Sequence, residues 1–203
     1  MKMPAGIFPD MAKQLKSATT DFHRALDHHE MLRGLLSTPI SEVNYTIALT
    51  ALFGPTEALE IALSDYLPLE KFSPRAALIA KDLQDLKAQL LPCSIPLPTF
   101  ESESAIVGGL YVLEGSHLGG SVIAKHLHHH STISLPCRFF SESEGYTRWQ
   151  RFWNYLTPRL PHLNQEDATE AAKATFSFFI AHFDECAKLN RTRKAQLNSH
   201  LGL

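Results

Sequence analysis

Cysteine is scarce in this 203-residue chain: Cys93, Cys137 and Cys186 lie far apart, are odd in number and form no C-x-x-C pair. That argues against a disulfide framework and a thiolate zinc site, and it points to a reducing cytoplasm. Long hydrophobic runs are missing as well. No apolar stretch reaches 18 residues, so no segment reads as a bilayer span. The opening "MKMPAGIFPDMAK" lacks the apolar core of a signal peptide. Nor does one sign of charge dominate, since 19 Lys and Arg stand against 21 Asp and Glu. The formal net charge of −2 offers no overall attraction to nucleic acid or to an anionic membrane.

Helical periodicity replaces the missing alternation in nearly every long segment. "DMAKQLKSATTDFHRALDHH" follows Pro9, takes Asp10 as its N-cap, and sets Leu15, Ala18, Phe22, Ala25 and Leu26 on one face. A second helix starts at the capping Ser41, and Gly54-Pro55 should kink or break it, because proline lacks the N–H and clashes with the preceding turn. Ser73-Pro74 reads as an N-cap followed by proline at the first helical position. A fourth helix is expected from about Glu101 to His128, then a Ser/Pro-containing loop over about 131–143. "GYTRWQRFWNYL" and a long segment from Asn164 to Leu197, with a candidate break near Asn190, complete the set. The reading is one all-α domain over residues 1–203.

Within the fourth helix lies "GGLYVLEGSHLGG", where Gly108, Gly109, Gly115, Gly119 and Gly120 are five of the chain's ten glycines. Each costs roughly 1 kcal/mol against alanine in a helix interior. At 100° per residue, Gly108, Gly115 and Gly119 fall within about 40° of one another. Gly109, Ser116 and Gly120 form the adjoining row, and only Val112 interrupts the face. The bare strip is about 18 Å long. Two arrangements suit it: another helix packed at close range through small residues, or a flat ligand lying against backbone.

His23 sits beside the apolar face of the first helix, with Asp27 at i+4 and Lys16 at i−7 on the same side. A metal ligand, a carboxylate able to orient it and a cation therefore share one stripe. A helical histidine with such neighbours is also an ordinary surface residue, and eleven histidines make the coincidence easy.

Together these residues carry a resemblance. "ATTDFHRALD" resembles the proximal helix of heme oxygenases, and "YVLEGSHLGG" resembles their distal helix in the form common among bacterial enzymes, some of which supply bilin to phytochromes. The resemblance implies an all-α fold with heme between the first helix and a kinked glycine-rich helix. His23 would ligate the iron from the proximal side, while Gly115, Ser116, Gly119 and Gly120 cover the opposite face. Asp27 would orient His23, and Lys16, Lys173 and Tyr111 would meet the heme propionates. Animal members carry an aspartate directly after the first distal glycine. Ser116 stands there in this chain, so the proton route would run through water, Ser116 or backbone groups.

The implied reaction consumes heme and O2 and yields biliverdin, carbon monoxide and ferrous iron. Its electrons would come from an external donor, a reductase or a ferredoxin-type protein, because the chain has no flavin- or nicotinamide-binding fingerprint. A bilin-accepting phytochrome is a further implied partner. A strongly anionic imidazole favours O–O cleavage, so Asp27 is expected to contact His23 weakly or through water.

The remaining histidines and aromatics read otherwise. His117 points about 140° from the centre of the glycine strip, toward packing or solvent. Glu114-x-x-His117 is half of a di-iron helix motif without a second copy. His28-His29 reads as a frayed helix end, His128-His129-His130 as a solvated one, and Trp149, Phe152, Trp153 and Tyr155 as an amphipathic core face. Two other function classes remain open: a heme-binding sensor or carrier that leaves heme intact, and a non-heme enzyme, thiaminase-like or di-iron. For the thiaminase-like case Cys186 has acidic neighbours, which suit a nucleophilic thiol poorly.

Overall fold

A computed structural model describes residues 9–66, 74–130, 134–141 and 145–201. These form eight α-helices and, among the described residues, no strand. They are α1 (Asp10–Ala18), α2 (Thr20–Asp27), α3 (Glu42–Leu63), α4 (Ala76–Asp85), α5 (Glu103–His130), α6 (Arg138–Ser141), α7 (Gly145–Leu156) and α8 (Gln165–Leu201).

The expected first helix is two helices. Thr19 interrupts it with φ −105° and ψ 5°. The hydroxyl of Thr19 donates to the Leu15 carbonyl at 2.7 Å and that of Thr20 to Lys16 at 2.8 Å. Such back-bonding competes with the helical ladder and bends helices. At its start the cap is Pro9 rather than Asp10, which lies in the first turn.

Elsewhere the helices run further than proline and asparagine suggest. α3 continues through Pro55, capped by Ser41, whose hydroxyl accepts from the Asn44 N–H at 3.1 Å. Burial of Phe53, Pro55 and Leu59 holds the segment helical, since tertiary packing outweighs local propensity. Gly54 admits the chain that follows α4: a Cβ there would come within 2.6 Å of the Cys93 nitrogen and 2.7 Å of the Leu91 carbonyl. By length and composition α3 could cross a bilayer, but half of it is buried inside the bundle, the place of a core helix. α8 runs unbroken past Asn190, where Asn190 bonds the Met31 sulfur at 3.7 Å and Arg191 pairs with Glu30. Ser73 lies outside the described residues, and the start of α4 is capped from elsewhere. The Glu60 carboxylate accepts from the N–H groups of Arg75 at 2.6 Å and Ala76 at 3.0 Å.

Two cores result. One joins α1, α5, α7, α8 and the second half of α3 around Leu15, Leu59, Leu110, Phe152, Trp153, Phe176 and Phe183. The other joins α3, α4 and α6 around Tyr45, Leu49, Ile79, Leu83, Phe139 and Phe140, with Leu127 of α5. The aromatic residues expected to form a core face, Trp149, Phe152 and Trp153, are buried in the first core, with Tyr155 at its edge. α6 occupies part of the expected loop because the buried carboxylate of Asp82 accepts from the N–H groups of Arg138 at 3.2 Å and Phe139 at 3.0 Å.

α5 is thus anchored in one core by its first half and in the other by its end. At the first anchor, a Cβ on Gly108 would strike the Ala168 carbonyl of α8 and lie 2.9 Å from the Ala171 Cβ. One on Gly109 would come within 2.6 Å of the Phe100 ring. Gly108→Ala is therefore expected to destabilise the protein by about 1–3 kcal/mol, the usual cost of overpacking. Chemical denaturation checks this, and unchanged stability would refute the close approach.

Candidate functional site

The glycine strip divides in two. Gly108 and Gly109 serve helix packing, whereas Gly115 and Gly119 do not. A Cβ on Gly115 would meet only the Trp149 ring, at 3.6 Å, and one on Gly119 would have nothing within 4 Å. Gly119 and Ser116 are exposed, Gly115 is half-buried and Gly120 is buried. At Gly115 and Gly119 the strip is bare backbone facing open space, beside the edge of Trp149, whereas Gly120 is covered.

This segment, between the two cores, is held by polar contacts. Glu114 is buried and takes a bidentate pair from Arg148 of α7, at 2.6 and 2.7 Å. A carboxylate engaged in this way is no iron ligand, and no metal-binding cluster occurs among the described residues. Arg75 is buried too: its guanidinium lies 4.0 Å over the Phe139 ring, donates to the Phe139 carbonyl at 2.8 Å, and donates to the Ser116 hydroxyl at 3.3 Å. Ser116 in turn donates to the Leu113 carbonyl at 2.7 Å. His117 is 1 % exposed, and its Nδ1 has no hydrogen-bond partner among the described residues. Burial first, then the positive field of Arg75, Arg148 and Arg151, pushes its pKa down to about 2. It is a neutral core residue, as the helical geometry implies.

His23 and Asp27 stand on α2, which has no fully buried residue. His23 Nδ1 contacts an Asp27 carboxylate oxygen directly at 2.9 Å. The expected weak or water-mediated contact is thus replaced by a direct one, because i,i+4 spacing sets both groups on one face. With His23 61 % and Asp27 58 % exposed, water screens the pair. The bond to Asp27 raises the His23 pKa, opposed by partial burial and by Lys16. Donation from Nδ1 to Asp27 leaves Nε2 as the nitrogen with a free lone pair. The imidazole rests against Phe176 of α8, ring centroids 5.8 Å apart.

One contact joins the two halves. Tyr111 of α5 hydrogen-bonds Thr19, whose own hydroxyl hydrogen goes to Leu15. His23 lies one turn beyond Thr19 on α2, and Gly115 one turn beyond Tyr111 on α5. Tyr111 is 9 % exposed, its ring against Trp149 and Trp153, and burial raises its pKa. Its hydroxyl braces the α1–α2 joint, a different place from the free anion-facing donor expected of it. Lys173 stands one turn before Phe176, paired with Glu170 at 2.9 Å, and Lys16 is exposed near His23. Both cations therefore belong to the His23 side of the bundle.

Other histidines and cysteines are structural. His29, expected to fray, is tied to Asp184 at 3.3 Å and to the Phe183 ring. Cys186 is buried beside His182, and burial pushes its pKa up to about 11, which leaves an unreactive thiol. Sequence reasoning missed Arg75, Arg148 and Asp82. Arg75 stood in "SPRAAL" as a helix-start cation, and only the burial of the residues around it marks it out.

His23 on α2 thus has Nδ1 engaged by Asp27, and α5 exposes bare backbone at Gly115 and Gly119. The family model for heme oxygenase matches residues 9–185. A heme oxygenase of Xanthomonas campestris pv. campestris is 34 % identical over 119 residues, covering 57 % of this chain and 68 % of its own. The chain belongs to the heme oxygenase family, as an enzyme of heme degradation. Two solved structures share the fold. The heme oxygenase of Neisseria meningitidis, solved with NO and CO bound, superposes with a TM-score of 0.64 at 22 % identity, over 87 % of this chain and 91 % of its own. Heme oxygenase-1 of the cyanobacterium Synechocystis, in complex with heme, gives 0.63 at 14 % identity, over 95 % and 100 %.

His117 makes stability depend on pH. Its folded pKa lies far below the ordinary 6.5, so below pH 6.5 the unfolded chain binds a proton that the folded chain refuses, and stability falls with pH. The loss at pH 5 is about 2 kcal/mol from this residue. His117→Gln should lack that part of the decline when unfolding free energies are compared at pH 7 and pH 5; parallel curves would refute it.

Proposed function

We propose that this chain cleaves heme at a meso carbon with O2 and externally supplied electrons, releasing biliverdin, carbon monoxide and ferrous iron. The observation that carries the reading is the open main chain at Gly115 and Gly119 on α5, together with the His23–Asp27 pair on α2. Bound heme supplies the redox chemistry and is itself consumed.

His23 would hold the iron through Nε2, with Asp27 fixing the ring by accepting from Nδ1. Lys16 and Lys173 take the propionates as cations on the same side, with Tyr111 holding the joint beneath them. Gly115, Ser116, Gly119 and Gly120 line the other face without side chains large enough to fill the space that oxygen and water need. Ser116 has its single hydrogen on the Leu113 carbonyl, so it accepts from water rather than donating a proton itself. An electron donor of the reductase or ferredoxin type must dock from outside, and a phytochrome would be one acceptor of the bilin.

Hemin titration followed by reduction in air tests the reading. One equivalent should bind, then the Soret band should give way to bilin absorbance; a persistent Soret band would indicate a carrier instead. His23→Ala should lose the histidine-ligated spectrum and regain it with added imidazole, and an unchanged spectrum would reject His23 as ligand.

The glycines give a second test. Gly119→Ala should stabilise the heme-free protein by about 0.5–1 kcal/mol, since the site is helical and open. Gly119→Leu should slow heme cleavage while the fold persists. Wild-type turnover in the leucine variant would mean that the open strip has no part in the reaction.

A further inference from the structure

Arg75 comes from a different part of the chain than the glycine strip, yet it is buried and reaches Ser116. Three contacts fix its guanidinium: the Phe139 ring at 4.0 Å, the Phe139 carbonyl at 2.8 Å and the Ser116 hydroxyl at 3.3 Å. Phe139 is itself fixed, because Asp82, fully buried on α4, accepts from its N–H at 3.0 Å. Upstream, Glu60 of α3 grips the backbone of Arg75 and Ala76. A rigid relay therefore leads from α3 and α4 through α6 to one hydroxyl on the exposed face of α5.

A serine hydroxyl offers one donor and two acceptor positions. In Ser116 the hydrogen is on Leu113 and one acceptor position is filled by Arg75. What remains toward the open strip is an acceptor. Without Arg75 the hydroxyl could rotate, and its polarity toward the strip would no longer be fixed.

We propose that Arg75 is a positioning residue for the distal face. It locks Ser116 as a hydrogen-bond acceptor, so that a water on the strip gives one hydrogen to Ser116 and presents its other hydrogen to a ligand on the iron. This inference rests on the heme reading above. The arginine fork suits the task because its planar donors can reach Phe139 and Ser116 at once, which a lysine ammonium cannot do in the same geometry.

The test uses fluoride binding to the ferric heme complex, followed by its visible spectrum, because fluoride accepts hydrogen bonds and its affinity reports donors near the iron. Arg75→Met and Ser116→Ala should each weaken fluoride binding about tenfold, and the double variant should be no weaker than either single one, as expected of residues acting through one contact. Arg75→Lys, which keeps the charge, should recover only part of the affinity, and it serves in place of Arg75→Met if that variant does not fold. Wild-type fluoride affinity in a folded Arg75 variant, or losses that multiply in the double variant, would overturn the proposal.

A heme-free measurement separates this proposal from the reading beneath it. In the apoprotein, the Arg75 guanidinium should give resolved, slowly rotating NMR signals that Ser116→Ala alters. Signals that ignore Ser116→Ala would overturn the proposal, whereas failure of the wild type to take up hemin would overturn the heme reading.

Discussion

The buried pair between Glu114 and Arg148 is the constraint on which the rest of the architecture depends. α5 must pass from one apolar core to the other, and between them it gives up side chains on one face. Apolar packing cannot hold a helix on a face that has nothing to pack. Two parallel hydrogen bonds at 2.6 and 2.7 Å hold it instead. Removing one partner of such a pair costs about 3–5 kcal/mol, because the other charge is left buried alone. The middle of the helix can therefore be bare without being loose.

The same economy of means shows on the two sides of the site. On α5 the buried Glu114 and the exposed Ser116 are both fixed from behind, by Arg148 and by the buried Arg75. On α2 the polar groups are exposed and fixed only by each other. Dielectric surroundings separate the two cases. The hydrogen bond that His23 Nδ1 donates to Asp27 at 2.9 Å would polarise a buried imidazole strongly, whereas water screens the pair while both groups stand more than half exposed.

Much of the fold was legible in the sequence: the helices containing the glycines and the tryptophans form within two residues of the expected bounds, and the His23 segment is helical, although broken at Thr19. The errors have two origins, one tertiary and one local. Pro55 and Asn190 were read as breakers, and the tertiary contacts of Phe53, Leu59, Met31 and Glu30 outweigh them. Thr19 was read as an ordinary helical residue, yet two neighbouring threonine hydroxyls bonded to carbonyls four residues back bend the chain there. The glycine strip was legible as a strip but not as two halves with different purposes, since only the position of α8 shows that Gly108 is crowded and Gly119 is not. Arg75 could not be found from spacing, because its partners Phe139 and Ser116 are 64 and 41 residues away in the chain.

The interruption at Thr19 leaves α2 as an eight-residue segment with none of its residues fully buried. Phe22 and Leu26 pack against the first core but are only partly buried, so α2 can open at less than the global unfolding free energy. α2 is a hinged door on a rigid frame: its amide protons should trade with solvent long before those of α5, and on the heme reading a wide, stiff ring system would enter by parting Phe22 and Leu26 from the first core while α5, α7 and α8 stay packed.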